Sequence, residues 1–538
     1  MVFFSESTKE LAERAYGELP NSKIIPHQIS YIPKVEKKNK TTESINIGLL
    51  GVLSKHKGEE IVKDLLKEID SRKLDINLKL IGYAEDIRNG RHFYQTGSYT
   101  RNSIPSLALM SDIDVFLIPS IWPETFSYTS EEIMKMGFPL MCFDMGAPAE
   151  RTKKYEKGII IPEVSAESIL DTLMNHPIVS QIKQMPINRS RVLFVVEDVT
   201  FSSRYRVDHL REQLILRGIA SDCVSQENIG KQNLDNYVSV VVYRSTAVST
   251  IEALKKEAET RNIPVYYDID DFIFDFNAIR NLEFLNGDEY KNFDQYCYNI
   301  RNTMELCDGY ITSTFALQRE IQRAFPDRPV VINRNVASLE MKALSIAEIN
   351  PKKTSDIVIG YFSGTKTHNA DFESIKDVLI ELMKQYADVR LLVGGQLTMP
   401  EEFNDFGDRI QKFDFVDWRQ LPRLIRRADI NLMPLEDSVF HACKSENKWM
   451  EAGLVCVPTI ASSNEELDRI IEDGKDGFLC HNTEEWKNKL ELLIKDRNLR
   501  ETMACEVHER VLSQYTTENV EDAVLDLLET KQTSHNPL

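Results

Sequence analysis

Four short stretches of this chain gather side chains suited to binding an anion and handling hydroxyl groups. The stretch KSENKWMEAG places Lys444 and Ser445 at the start of an expected helix, with Glu451 further along it. Ser445 is a good N-cap and Lys444 a point charge at the same end. A helix N-terminus adds free N–H groups and a favourable dipole, so the three features together make an anion site. The alternative is an ordinary capped helix with a solvated lysine. GYFSGTKTHN follows a strand-like run. Gly364 permits a tight turn there, and Thr365, Lys366, Thr367 and His368 supply donors. A loop after the first strand of a doubly wound domain is where ligands bind, although a purely structural turn has the same composition. YYDIDD ends another strand-like run with Asp270 and Asp271. Paired acids at a strand end can hold substrate hydroxyls, act as a base, or simply cap the next helix. Arg204 and Arg206, in SSRYRVDHL, sit where a strand turns into a helix. They are candidates for substrate contact, with ion pairs to Asp198 or Asp208 as the alternative. His441 is a further candidate for a substrate contact, although a lone histidine is more often structural.

A related constellation lies upstream in ETFSYTSEEIMKMGFP, which carries Glu124 and Glu132. Thr129 or Ser130 is the expected N-cap and Gly137 the expected stop, so the backbone of Thr125, Phe126 and Ser127 would face a bound anion. Glu132 is expected in the first helical turn, where a carboxylate also complements the helix dipole.

The elements that must position these groups alternate. INIGLL, NLKLIG, IDVFLIP and PLMCFD are strands by composition, and intervening segments such as GEEIVKDLLKEID have apolar residues at helical spacing. RVLFVVED, SVVVYR, PVYYDID, GYITS and PVVIN form a further set. Strand–helix alternation predicts an α/β chain of parallel sheets covered on both faces.

The spacings also repeat. Gly48 to Gly82 and Gly360 to Gly394 are both 34 residues. Asp114 stands five residues before Pro119, as Asp429 does before Pro434; Glu132 stands seven before Pro139, as Glu451 does before Pro458. Gly158 and Gly477 both follow that proline by nineteen. Residues 3–28 read as strand end, helix, loop and strand, as do 310–335. The expected domains are 1–44, the end of a truncated acceptor-type domain; 45–180, a Rossmann-like domain; 181–190, a linker; 191–350 and 351–515, a second pair; and 516–538, a closing helix with a disordered tail.

A chain of 538 residues exceeds a single core, and its formal charge of −19 makes it a poor partner for nucleic acid. Eight cysteines without a C-x-x-C pair suit reduced thiols in a cytoplasmic protein and not a disulfide framework or zinc site. No run approaches the length of a membrane span, so any membrane contact would be peripheral.

On the residues quoted, the chain resembles glycosyltransferases of the GT-B fold, most closely glycosyltransferase family 4: one complete GT-B unit preceded by a partial one. The motif is Glu, seven residues, Glu, a helix and a G-x-P strand entry. The resemblance implies two facing Rossmann-like domains per enzyme and a nucleotide-diphosphate sugar (UDP, GDP or dTDP) as donor. It implies no cofactor and no essential metal, which argues against reading DIDD as a metal-binding D-x-D. It gives Glu132 and Glu451 the ribose hydroxyls, Glu124 the place of the first motif glutamate, and Lys57, in SKHKG, a phosphate contact. Cys443 stands where the second unit would have its first glutamate, and Val52 where the family commonly has an arginine. The second unit also resembles bacterial polysaccharide enzymes, including rhamnosyltransferases, through SSRYRVDHL, YYDIDD, GYFSGTKTHNADF and KSENKWMEAG. That implies a glycan or lipid-linked glycan acceptor and work at the cytoplasmic membrane face. The alternatives are a non-catalytic sugar-binding or scaffolding protein with a degenerate unit, and a GT-B epimerase or phosphorylase.

Overall fold

The computed structural model describes residues 1–29, 32–37, 39–188, 190–197, 203–282, 285, 291–349, 356–364, 368–519 and 522–529. They form two compact units, 1–189 with 215–220, and 190–214 with 221–538.

The first unit is built on a six-stranded parallel sheet. Its spatial order is Phe93–Gln95, Ile76–Ala84, Ile45–Leu53, Val115–Ile118, Leu140–Phe143, Gly158–Ile161. Ile47, Leu49, Leu78 and Val115 bury one face against Val62, Leu65 and Ile69 of the helix Glu59–Ser71, whose apolar residues recur at helical spacing. Ahead of the sheet, Val2–Phe3 pairs in parallel with Lys23–Ile24 across the helix Glu6–Tyr16. The linker expected at 181–190 starts inside a helix, because Pro177–Gln184 continues past Ala166–Asn175.

The second unit holds two more six-stranded parallel sheets. The first runs Ala220–Ser225, Arg191–Val196, Ser239–Tyr243, Val265–Ile269, Gly309–Thr312, Val330–Ile332. Its last two strands flank the helix Phe315–Ala324, the same strand–helix–strand order seen at residues 2–24. The second runs Ile410–Phe413, Val389–Gly395, Ile357–Ser363, Ile430–Met433, Thr459–Ser462, Phe478–Cys480, the strand order of the first unit's sheet.

Two of the repeated spacings have a physical explanation. Asp114 Oδ2 accepts the Asn46 N–H at 2.8 Å, and Asp429 Oδ2 accepts the Val358 N–H, also at 2.8 Å. Each aspartate satisfies the start of the neighbouring central strand, so these acids are structural. The glycines align differently from the 34-residue spacing. Gly82 pairs with Gly51, whereas Ser363, the counterpart of Gly51, pairs with Gly395 and not Gly394. Gly82 and Gly395 both have positive φ. A Cβ on either would lie under 2 Å from the carbonyl oxygen of its partner, so only glycine fits.

The 18-residue helix Arg497–Gln514 packs on Asn447–Leu454, where a Cβ at Gly453 would meet Val507 and Val511 at 2.8 Å. The chain then returns to the unit's first sheet. Thr517 N–H donates to Ala337 O, and Ser239 Oγ donates to Leu528 O of the helix Ala523–Glu529. This is the expected closing helix; the tail expected to be disordered, residues 531–538, lies outside the described residues. No described helix is long and apolar enough to cross a membrane, and the eight cysteines are unpaired.

His209 is buried beside Tyr205, and its Nδ1 lies 2.6 Å from Val336 O, so that nitrogen carries the proton. Burial, helped by Arg204, pulls its pKa down to about 3. The unfolded chain therefore binds more protons between that value and the ordinary 6.5, and stability falls as pH drops through this window. Replacing His209 with Gln should reduce the loss by about 1 kcal/mol per pH unit below 6, read by urea melts at pH 5 and 7.

Candidate functional site

In the second unit's second sheet, chain order reverses between Ile357–Ser363 and Ile430–Met433. Ligands of such sheets bind in the crevice outside the carboxyl ends of these strands. A cleft of about 500 Å³ opens there. Ser363, Gly364, Gly395 and Leu435 form its strand-end wall, and Tyr205, Arg244, Asp270 and Asp271 face it from the unit's first sheet.

The helix Asn447–Leu454 turns Lys448 and Glu451, three residues apart, toward this cleft. Among the described residues the Lys448 ammonium has no hydrogen-bond partner; it is enclosed, 4.9 Å from the Tyr361 ring centroid. Burial pulls its pKa down to about 8, against the pull of Asp371 and Glu451. Glu451 accepts the Tyr205 hydroxyl at 2.6 Å and lies 3.6 Å from the Arg204 guanidinium. Burial raises its pKa, and Arg204, Tyr205 and Lys448 oppose the rise. Arg204 stacks on both Tyr205 and Trp418. Residues 204–208 form a π-helical turn, a rare conformation that is frequent at functional sites.

Across the cleft, Lys444 Nζ donates to Asp271 Oδ1 at 2.7 Å, and Arg244 donates to Asp271 Oδ2 at 3.1 Å. Burial alone would raise the Asp271 pKa, but Lys444 and Arg244 overcome it and hold the carboxyl well below the usual range. Asp270 accepts the Tyr243 hydroxyl at 3.4 Å and lies 3.5 Å from Arg244. Burial wins there and raises its pKa. Arg244 has a left-handed backbone, φ 45°, a strained geometry for a long side chain. His368 Nδ1 sits 2.7 Å from Asp371 Oδ2, and Asp371 Oδ1 accepts the Glu436 N–H.

The structure thus brings Gly364, His368, Lys444, Ser445, Glu451, Asp270 and Asp271 to one cleft. Thr365 lies outside the described residues. Arg206 is placed elsewhere: wholly buried, it grips Asp268 with two bonds at 2.7 and 2.9 Å and reaches Asn333 O and Asn335. It holds strand ends together and does not line the cleft, and its partner is neither of the aspartates expected from sequence. Ser445 does not cap the helix; Glu446 stands at the cap, and Ser445 Oγ accepts from Asn335 Nδ2. Lys448, Tyr205 and Arg244 escaped the sequence reading. The one available signal was Lys448, three residues before Glu451 on an expected helix.

In the first unit, the cap of Tyr128–Met136 is Ser127, whose Oγ accepts from the Ser130 N–H, not Thr129 or Ser130. Gly137 ends the helix in the left-handed region as expected. Glu132 is its fifth residue and so lies beyond the first turn. Lys57 pairs with Glu124 at 2.5 Å, and Glu132 Oε1 is held by Arg101 at 2.7 Å. The Thr125 carbonyl accepts from Ser5 and Thr8 hydroxyls, and Phe126 is buried under Arg151. The carboxylate expected at a ribose therefore already has a cation.

Asp371, Glu436 and His441 offer ligand atoms within 4.8 Å of one another. His441 Nδ1 bonds the Ser438 hydroxyl at 2.8 Å, which turns its Nε2–H to Asp371 at 3.4 Å. That pattern is hydrogen bonding, with no lone pair left on the imidazole for a metal.

Residues 357–496 match a family model described as glycosyl transferases group 1, and residues 32–175 match a second model of the same description. No curated protein matches the chain. Among solved structures, the chain is similar to Anabaena HepE in complex with UDP, at 14% identity over 63% of this chain and 99% of that one, with a TM-score of 0.43. It is also similar to a glycosyltransferase from Rickettsia africae, at 13% identity over 64% of this chain and 100% of that one, with a TM-score of 0.47.

Proposed function

We propose, for a chain that carries two glycosyl transferases group 1 domains, that the second unit moves a sugar from a nucleoside diphosphate sugar to a glycan or lipid-linked glycan acceptor. The observation that carries this reading is the enclosed Lys448 ammonium, which has no hydrogen-bond partner among the described residues, beside Glu451 in the switch-point cleft. A departing diphosphate gathers negative charge, and a cation held out of water stabilises it where it develops. Lys448 and Lys444 supply such charge from one helix end, which is the basis for a reaction without a metal. Glu451 suits a ribose diol.

The contacts already made there have the same chemistry. Tyr205 gives Glu451 a hydroxyl, and Asp271 gives Lys444 an anion. A nucleotide would replace the first with a ribose hydroxyl and the second with a phosphate. The first unit takes the secondary reading, a non-catalytic domain, because Thr129 stands three residues before Glu132 where the second unit has Lys448 before Glu451. The shared strand order of the two sheets supports their origin as a repeat. A role in bacterial surface polysaccharide assembly, at the cytoplasmic membrane face, rests on the motif resemblance of the second unit.

Replacing Glu132 with Ala should leave the protein's thermal response to UDP, GDP or dTDP unchanged, whereas Glu451→Ala should remove it. A response that depends on Glu132 instead would move the donor site to the first unit.

A further inference from the structure

A diphosphate that takes Lys444 leaves Asp271 behind. The backbone around Lys444 is pinned on both sides. Cys443 O accepts the Thr314 hydroxyl at 3.1 Å, and Ser445 Oγ accepts from Asn335 Nδ2 at 3.1 Å. Lys444 can therefore change partners only by swinging its flexible side chain. That side chain is partly open to the cleft, and its ammonium lies 4.4 Å from the Phe440 ring centroid. Asp271 cannot follow it. Its Oδ2 accepts from Arg244 at 3.1 Å, and its carbonyl accepts the Ile273 N–H at 3.0 Å. Among the described residues, Lys444 is the one donor to Oδ1. The swing vacates one oxygen of a carboxylate that stays in place.

We infer that Lys444 and Asp271 form a latch that the donor diphosphate opens, and that the oxygen it vacates binds a hydroxyl of a neutral sugar acceptor. This rests on the sugar-transfer reading and adds an order to it, donor first and acceptor second. A carboxylate oxygen facing a partly enclosed cleft is costly without a partner, and a hydroxyl satisfies it. The charges on that wall set the acceptor's class. Asp270 and Asp271 adjoin and share Arg244. An acidic sugar would meet two carboxylates there, whereas a neutral one offers only hydroxyl donors. Ile273 and Phe293 line the same wall and give a sugar ring an apolar face to rest on.

Lys448 plays the opposite part. It is enclosed and makes no hydrogen bond among the described residues, so it has no partner to surrender when phosphate arrives. Lys444 must give one up, and its affinity for phosphate is reduced by the fraction of time it spends on Asp271.

The test uses the full chain, calorimetry with UDP, GDP and dTDP, and saturation-transfer NMR with methyl glycosides of glucose, galactose and mannose beside methyl glucuronide. With the nucleotide that binds, Asp271→Asn should tighten affinity about 3- to 10-fold, because Lys444 no longer has an anion to leave. Placed in a Lys444→Met background, the same substitution should change affinity by less than about two-fold. A neutral glycoside should give a signal only with the nucleotide present, methyl glucuronide should give none, and Asp271→Ala should erase the neutral signal. In Lys444→Met the neutral glycoside should bind without nucleotide, a gain that a misfolded variant cannot produce. Unchanged or weaker nucleotide affinity in Asp271→Asn, a glycoside signal in the parent without nucleotide, or no such signal with it would overturn the latch. No calorimetric response to any nucleotide would sink the sugar-transfer reading beneath it.

Discussion

Replacing Lys448 with Met is expected to weaken nucleoside diphosphate binding about 10- to 100-fold while leaving the free protein at least as stable. A charge-assisted hydrogen bond to phosphate contributes about 1.5–3 kcal/mol, and burial keeps water from substituting for it. In the free protein the same ammonium is enclosed, lies against the Tyr361 ring and makes no hydrogen bond among the described residues. Its pKa is lowered to about 8, so the folded chain sheds this proton before the unfolded chain does. The cost of burial is then full below pH 8 and fades as pH rises toward the ordinary 10.5. Across that window the parent should gain on the order of 2 kcal/mol relative to Lys448→Met. Calorimetric binding at pH 7 and urea melts at pH 7.5 and 10 separate the two effects. Unchanged nucleotide affinity would remove Lys448 from the donor site.

Replacing Arg206 with Ala is expected to destabilise the second unit by about 3–5 kcal/mol, the largest stability effect anticipated from a single side chain here. The loss leaves Asp268 as a buried carboxylate with no cation in its grip; burial already pushes that carboxyl up to about 6 with Arg206 in place. Two strand ends would also lose their tie: Asp268 stands next to the end of Val265–Ile269, Asn333 and Asn335 follow Val330–Ile332, and Arg206 reaches all three residues. Lysine cannot reproduce the two-pronged bond, so Arg206→Lys should recover less than half of the loss. Because Tyr205 adjoins Arg206 and Asp270 lies two residues beyond Asp268, the same substitution should loosen both sides of the cleft. Denaturant midpoints read the first effect, and the nucleotide thermal shift reads the second.

How much of this was legible in the sequence depended on the range of each interaction. The three parallel sheets follow from local apolar runs and helical spacing, and Gly137 is a local stop, so both emerged from the chain alone. The cleft membership of Lys444, Glu451, Asp270 and Asp271 was also legible, because position after a strand of a parallel sheet already fixes which edge a residue occupies. What pairs with what was not. Arg206 meets Asp268 across 62 residues, with nearer aspartates available in the sequence. Lys448 is significant because its ammonium has no hydrogen-bond partner among the described residues, a property no spacing can express. The Gly82–Gly395 correspondence needed strand register, since one residue of slip moves the match away from Gly394. The cap at Ser127 was missed because Ser127, Thr129 and Ser130 crowd the same turn, and all three residue types cap well.

The most direct test of the account is a thermal-shift titration of the full chain with UDP, GDP and dTDP, beside Glu451→Ala and Glu132→Ala. Ligand that binds only the folded state raises its melting temperature by mass action. The account predicts that one nucleotide stabilises the parent and Glu132→Ala alike and fails to stabilise Glu451→Ala. Stabilisation that survives in Glu451→Ala, or the absence of any response in the parent, would contradict it.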